Sequence, residues 1–220
     1  MRSSNGRSVI LTAARNTFAK KGFDGASIRD IAQEADLSLS ALYYYFPSKQ
    51  DALFELIRSA FAGYIETAAR VIADAGDDPI DQTAAVVRLL VRYRAHNQLI
   101  SRVVVRDAER LDAEKFEVIH EQQRASRAVL NDRIAAGVTA GAFDVEDAEL
   151  AGRAVLSICN SIALWYRADG PISVAELERT YLQYCLRLLG HSPDDTELDR
   201  LMDQPLAIAE ELDFIAQPAD

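Results

Sequence analysis

A chain of 220 residues with 49% hydrophobic content is long enough for one large or two small domains around a substantial core, so a folded, soluble protein is the starting expectation. Its formal charge of −10 and pI near 4.8 exclude a uniformly basic coat for nucleic acid or an anionic membrane. Residues 1–50 nevertheless hold seven Lys and Arg against four acids, a balance of +3, while the other 170 hold 17 against 30, so any polyanion contact belongs to the front of the chain.

Strict apolar/polar alternation is absent beyond a few residues, and the chain reads as nearly all helix. A first helix is expected over Arg7 to Lys21, with Val9, Ile10, Ala13, Ala14, Thr17 and Phe18 on one face and Gly22 as its stop. Ser27 caps a second, which buries Ile28, Ile31, Ala32 and Ala35, carries Asp30 where the helix dipole favours an acid, and stops at Asp36. Ser38 caps a short third helix to about Tyr45, broken by Pro47, Ser48 and Lys49. A long fourth helix runs from near Gln50 to about Ala75 and ends at the turn residues Gly76 to Pro79. Further helices are expected at about 80–96, 98–108, 112–138, 146–168 and 173–189. Two weaker patterns, 195–203 and 205–215, fall in the acidic stretch from Asp194 onward. No apolar run reaches the ~18 to 20 residues that span a bilayer, and MRSSNGRSV is not followed by a signal-peptide core, so a cytoplasmic address without membrane contact is the simplest expectation.

The helices at 27–35 and 38–45, joined by about three residues with an αL-tolerant Asp36, have the layout of a helix-turn-helix. Ala32 and Ala35 let the two helices approach, and Leu37 and Leu42 can plug between them. Ser27 and Ser38 set backbone amides and hydroxyls at helix N-termini, where a phosphate oxygen is favoured, and Lys49 adds a positive charge at the next helix start.

The stretch from Arg7 to Ile57 resembles the DNA-binding domain of TetR-type transcriptional regulators. The resemblance rests on Gly22-Phe23, the run Ser27-Ile28-Arg29-Asp30-Ile31-Ala32, Ala35 before the turn, and Leu42-Tyr43-Tyr45-Phe46 followed by Ser48-Lys49. Asp36 and Ser40 depart from it, both standing where the family often has glycine. The resemblance implies an all-α protein: an N-terminal three-helix, helix-turn-helix DNA-binding domain in 1–50 and a larger helical ligand-binding and dimerisation domain in 51–220. By matching positions, Ser27, Ser38, Leu39, Ser40, Tyr43, Tyr44 and Lys49 become candidate contacts to double-stranded operator DNA. By the same matching, the resemblance implies that Tyr45 with Phe46 is mainly core, and since consecutive helical residues diverge by about 100° the three tyrosines cannot all face it.

One short recognition helix reads few base pairs, so a homodimer on a palindrome is expected, with half-sites roughly 34 to 36 Å apart. The helices near 151–165 and 177–188 are interface candidates through Ala151, Ala154, Val155, Ile158, Ile162 and Trp165, then Leu177, Tyr181, Tyr184, Cys185 and Leu188; an ordinary intramolecular core is the alternative. A cavity for a small-molecule effector is expected among residues 55–165, lined by candidates that combine bulk with polar handles: Phe61, Tyr64, Tyr93, His96, Arg102, Phe116, Asn160 and Trp165. LWYRADGPIS, within Ile162 to Ser173, is similar to regulators of fatty-acid or sterol breakdown that sense acyl-CoA thioesters, which makes an acyl-CoA a candidate effector.

An enzyme is disfavoured: the histidines at 96, 120 and 191 stand in no HExxH, and no GxSxG, GxGxxG or P-loop is present. Glu117-x-x-His120 alone does not make a di-metal bundle, which needs two such motifs, and no metal or cofactor is expected. Cys159 and Cys185 lie in apolar helical patterns and read as buried free thiols. A helical ligand carrier or adaptor without DNA binding remains the rival function; it accounts for the rear of the chain but not for residues 27–49.

Overall fold

The computed structural model describes residues 2–206, with side chains from Gly6 onward. The described residues form ten α-helices and one 3-10 turn with no strand, as the all-α reading expects. The pattern read over 205–215 lies, from 207 on, outside them. The described residues divide into two compact units, one holding those up to Tyr64 with Leu99–Gln123, the other Ile65–Gln98 with the described residues from Arg124 onward.

In the first unit, α1 (Arg2–Gly25) buries Ile10, Ala14 and Phe18 completely and is broken at Gly22, whose φ of 72° and ψ of 165° suit glycine and little else. It packs on α2 (Ile28–Glu34), which packs in turn on α3 (Leu39–Tyr45). The first half of α4 (Lys49–Asp74) adds Ala52, Leu53, Leu56 and Ile57 to the core. Glu55, nearly buried on that helix, ties it to α1 through Arg7 at 2.7 Å and is also held by Arg58. The unit is completed by α6 (Gln98–Asp107), the 3-10 turn Ala108–Arg110 and the head of α7 (Ala113–Thr139).

The second unit is built on α5 (Pro79–His96), in which every residue from Thr83 to Val91 is buried. Asp78 caps it and proline sits in its first turn, where no amide partner is needed. It packs on α8 (Ala148–Trp165) and α9 (Val174–Leu188). The short α10 (Asp195–Asp203) lies on α5 and α9. Two opposite charges are buried in this packing: Arg88 donates from Nε to Glu178 at 2.6 Å, and from its Nη atoms to the carbonyls of Leu201, Met202 and Gln204. Arg92, half-buried, takes the other Glu178 oxygen. The guanidinium of Arg88 thereby caps the C-terminal end of α10.

Two helices differ from expectation in their bounds: α1 begins at Arg2 rather than Arg7 and continues past its break at Gly22 to Gly25. The eighth helix stops at Trp165 rather than near 168, because Tyr166 is buried in an extended conformation and its carbonyl accepts from the Gln98 side chain at 2.9 Å. The 3-10 turn Ala108–Arg110 fills the gap left between the helices expected at about 98–108 and 112–138. Cys159 and Cys185 are free and buried, and the Cys159 thiol is pushed well up by its hydrogen bond with Cys185 and by burial.

Candidate nucleic-acid interface

Two serine caps frame the helix-turn-helix. The Ser27 hydroxyl accepts from the Asp30 amide at 3.1 Å, and the Asp30 carboxylate accepts from the Ser27 amide at 2.8 Å, closing a capping box. Lys21 completes the site at 2.7 Å from Asp30, and hydrogen bonds from Lys21 and Ser27 lower the Asp30 pKa to about 2. The spacing Ser-x-x-Asp was visible in the sequence and signals this box.

Asp36 holds the turn with φ 53°, the left-handed conformation its short polar side chain tolerates. Ala32 and Ala35 are buried, as the close approach of α2 and α3 requires. The Ser38 hydroxyl accepts from the Ala41 amide at 3.2 Å and lies 3.1 Å from the Ser40 hydroxyl. Leu42 and Phe46 face the core, Leu39 and Tyr45 are half-buried, and Ser27, Ser38 and Ser40 are exposed. Tyr43 and Tyr44 point outward at 45% and 83% exposure, so the helical divergence does separate the aromatic run into an outer and an inner pair.

Lys49 is placed differently from a free surface lysine. Its ammonium donates to the carbonyls of Phe23 at 2.6 Å and Ala26 at 2.7 Å and sits 4.2 Å from the centre of the Phe23 ring. Those two bonds leave one of its three protons for another acceptor. The next residue faces elsewhere: Gln50 donates to the Arg110 carbonyl at 2.8 Å and accepts from the Asp112 amide at 3.3 Å. Gln50 and Arg106, whose guanidinium donates to the Phe18 carbonyl, carried no sequence signal.

The effector candidates divide between the units. In the first, Tyr64 is buried, Phe61 is half-buried, Arg102 is exposed, and Phe116 stacks on His120 at 6.0 Å. In the second, Tyr93 and Asn160 are brought together by Arg94, which stands over the Tyr93 ring at 5.2 Å and donates to Asn160 at 3.0 Å. Trp165 stacks on Tyr181 at 6.3 Å, and His96 is exposed. None of the eight borders the groove of about 510 Å³ between α1 and α2, which is lined by Asn16, Thr17, Lys20, Lys21, Asp30, Gln33 and Glu34.

On α8, Ala151, Val155, Cys159 and Ile162 are buried, while Leu150, Leu164 and Trp165 are exposed at 63%, 67% and 44%. On α9, Leu177, Leu182, Cys185 and Leu186 are buried while Tyr184 is 53% exposed. Of the interface candidates, then, Ala151, Val155, Ile162, Leu177 and Cys185 serve the intramolecular core, and Ala154, Ile158, Trp165, Tyr181, Tyr184 and Leu188 remain at least partly accessible. No helix among the described residues is long and apolar enough to cross a membrane.

Residues 10–56 match the family model of bacterial regulatory proteins of the tetR family, and residues 76–189 match that of the tetracyclin repressor-like C-terminal domain. The transcriptional repressor KstR2 of Mycobacterium tuberculosis is 25% identical over 182 residues, covering 82% of this chain and 90% of that protein. The solved structure of that ketosteroid transcriptional regulator matches with a TM-score of 0.73 over 84% of this chain and 93% of its own. PfmR, a TetR family regulator from Thermus thermophilus, is 28% identical with a TM-score of 0.73, covering 84% and 99% of the two chains. A tetR-family regulator from Rhodococcus RHA1 is 26% identical with a TM-score of 0.75, covering 86% and 98%.

Proposed function

The chain belongs to the TetR family of bacterial transcriptional regulators, and from that premise we propose that it represses transcription by occupying a palindromic operator as a homodimer until a small effector releases it. In this reading residues 1–50 read DNA and 51–220 bind the effector and dimerise. The observation that carries it is α3: Leu42 and Phe46 seat the helix while Tyr43 and Tyr44 stand out on the side away from the core. Seven residues of helix with two outward rings suit a major groove, where ring edges meet bases and thymine methyls and tyrosine hydroxyls reach phosphate or base acceptors.

A homodimer is supported by the outward apolar side chains of α8 and α9, Leu150, Leu164, Trp165 and Tyr184, which lie along two helices of one unit. The proposed effector is an acyl-CoA thioester, on the likeness of the stretch ending in Ser173 to acyl-CoA sensors. Its binding displaces DNA only if the effector prefers an arrangement in which the paired recognition helices no longer meet both half-sites.

Selection of bound DNA from a random pool tests the reading. A recovered palindrome, bound less tightly as salt rises and lost on Tyr44→Ala without a change in folding, is the expected result. Absence of any selected sequence at low salt would remove DNA reading. A thermal-shift screen of CoA thioesters in which none raises the melting temperature would remove that effector class.

A further inference from the structure

Three candidate features lie outside the helix-turn-helix surface. In the polar groove between α1 and α2, Lys21 pairs with Asp30 and Asn16 with Glu34, so its charged groups are largely spent on one another rather than aimed at a ligand. The thiols of Cys159 and Cys185 are completely buried, which bars an oxidant from them. The corner between α6 and α7 has contacts that the core does not require. It grips the DNA-reading helices at both of their ends.

The first grip is at the end of α1. Arg106 lies beside Gly22, its guanidinium carbon 3.8 Å from where a Cβ would stand, and donates to the carbonyl of Phe18. That carbonyl belongs to the final turn before the break at Gly22. Asp107, which is buried, holds Arg106 from Nε at 2.9 Å and from Nη2 at 2.7 Å, so the guanidinium is aimed rather than loose. The second grip is at the head of α4. There the Gln50 amide clasps residues 110 and 112 on either side of the buried Leu111. Lys115 adds an ion pair to Asp51 at 3.3 Å. Between the grips, Lys49 closes the base of the reader by binding the carbonyls of Phe23 and Ala26. Residues 22–49, which contain α2 and α3, are thus pinned at the beginning and at the end to one short segment, 106–115.

Each of these bonds alone adds little to folding stability. Their effect is geometric. One grip permits rotation of the reader about it, and two grips do not. A reader held in one orientation loses little freedom on meeting a stiff duplex, whereas a loosely mounted one can follow displaced half-sites at a cost in affinity.

We propose that Gln50 and Arg106 are positioning residues for DNA reading: by tying both ends of the helix-turn-helix to the corner at 106–115, they set how strictly the two half-sites of an operator must be spaced. The proposal rests on the reading of this chain as a dimeric operator-binding protein.

Full-length protein is titrated with the palindrome recovered from a random pool and with the same palindrome carrying one or two added central base pairs. Wild type is expected to lose about tenfold or more in affinity for each lengthened site. The Gln50→Leu/Arg106→Met double variant loses less than about threefold, Gln50→Leu alone is intermediate, and Arg106→Lys, which keeps a donor for Phe18 and a partner for Asp107, stays near wild type. Gln50→Leu leaves the Arg106–Asp107 pair intact and guards against a folding defect in the double variant. Affinity falling in parallel on every spacer, with the ratio unchanged, overturns the proposal. Amide exchange without DNA separates its failure from that of DNA reading. The Asp112 amide, which donates to Gln50, exchanges at least about fivefold faster in Gln50→Leu while α9 amides are unchanged. If it does not, the grip is absent and the proposal falls whether or not an operator exists.

Discussion

Arg88 and Glu178, ninety positions apart, meet at 2.6 Å with side chains only 1% exposed. Burying both charges is tolerable because every polar atom has a partner: Arg92 on the second carboxylate oxygen, and the carbonyls at the end of α10 on the remaining guanidinium nitrogens. The family domain ends its match at residue 189, yet α10, beyond it, is needed to satisfy Arg88.

Removing the carboxylate is therefore expected to cost more than losing one hydrogen bond. Glu178→Leu leaves Arg88 charged in the core, and a loss of about 3–5 kcal/mol follows. For a protein of this size that lowers the melting temperature by about 2–4 °C per kcal/mol. Thermal unfolding followed by circular dichroism checks it, and Arg88→Met in the same chain should recover part of the loss. A Glu178→Leu protein that melts with wild type would show the pair to be dispensable.

Asp30 gives a pH dependence. Its folded pKa lies near 2 against an ordinary 3.8, because the protonated acid would give up Lys21 and the Ser27 cap. A depressed carboxylate pKa means that the native state holds fewer protons than the unfolded chain. The contribution is complete above about pH 4 and is lost as pH falls toward 2. Carboxyl NMR should find Asp30 titrating near the bottom of that window, and Asp30→Asn should flatten the acid limb of stability there. A midpoint close to 4 would contradict the capping box.

Gly190 ends α9 in a left-handed conformation, φ 81°, with the amides of Gly190 and His191 donating back to Arg187 and Leu186. A Cβ at this position would stand 2.6 Å from the main-chain oxygen of Asp144. Gly190→Ala combines backbone strain with a collision that no rotamer relieves, and a cost of about 1–3 kcal/mol is expected from chemical denaturation. Gly76→Ala, at φ 78° with open space around it, should cost less, which isolates the collision from the strain.

Leu164 is 67% exposed on α8 and Tyr184 is 53% exposed on α9. Neither is needed for the internal packing, so Leu164→Glu should leave the stability of a dilute sample within about 0.5 kcal/mol of wild type while shifting sedimentation from dimer to monomer. Operator affinity should fall with it by at least about tenfold, because a single recognition helix reads only one half-site. A variant still dimeric by sedimentation would move the interface off this face.

What the sequence made legible was local. Ser27, Ser38 and Asp36 mark helix starts and a turn through their own side-chain chemistry, so the helix-turn-helix could be placed to within a residue or two. Helical geometry required only that the three tyrosines not share one face, and the family resemblance put Tyr45 and Phe46 on the inner side, where Phe46 is buried and Tyr43 and Tyr44 are exposed. Contacts between distant residues leave no periodic trace. Arg106 with Phe18, Gln50 with Arg110 and Arg88 with Glu178 each join positions 60 to 90 apart, and in sequence each looks like an ordinary polar residue of a helix. Lys49 shows the same limit from the other side: its charge suggested phosphate, and two main-chain carbonyls already hold it.

The unbroken burial of Thr83 to Val91 bears on how this chain tolerates insertions and deletions. An amphipathic helix that gains a residue can roll and re-bury a similar stripe, but a rod covered on all sides has nothing to roll toward. One added residue turns everything beyond it by about 100° and would carry Arg88 away from Glu178 and from the end of α10 together. Length variation among related chains should therefore gather in the turns at Gly76–Asp78 and Asp169–Ser173 and leave α5 constant in register.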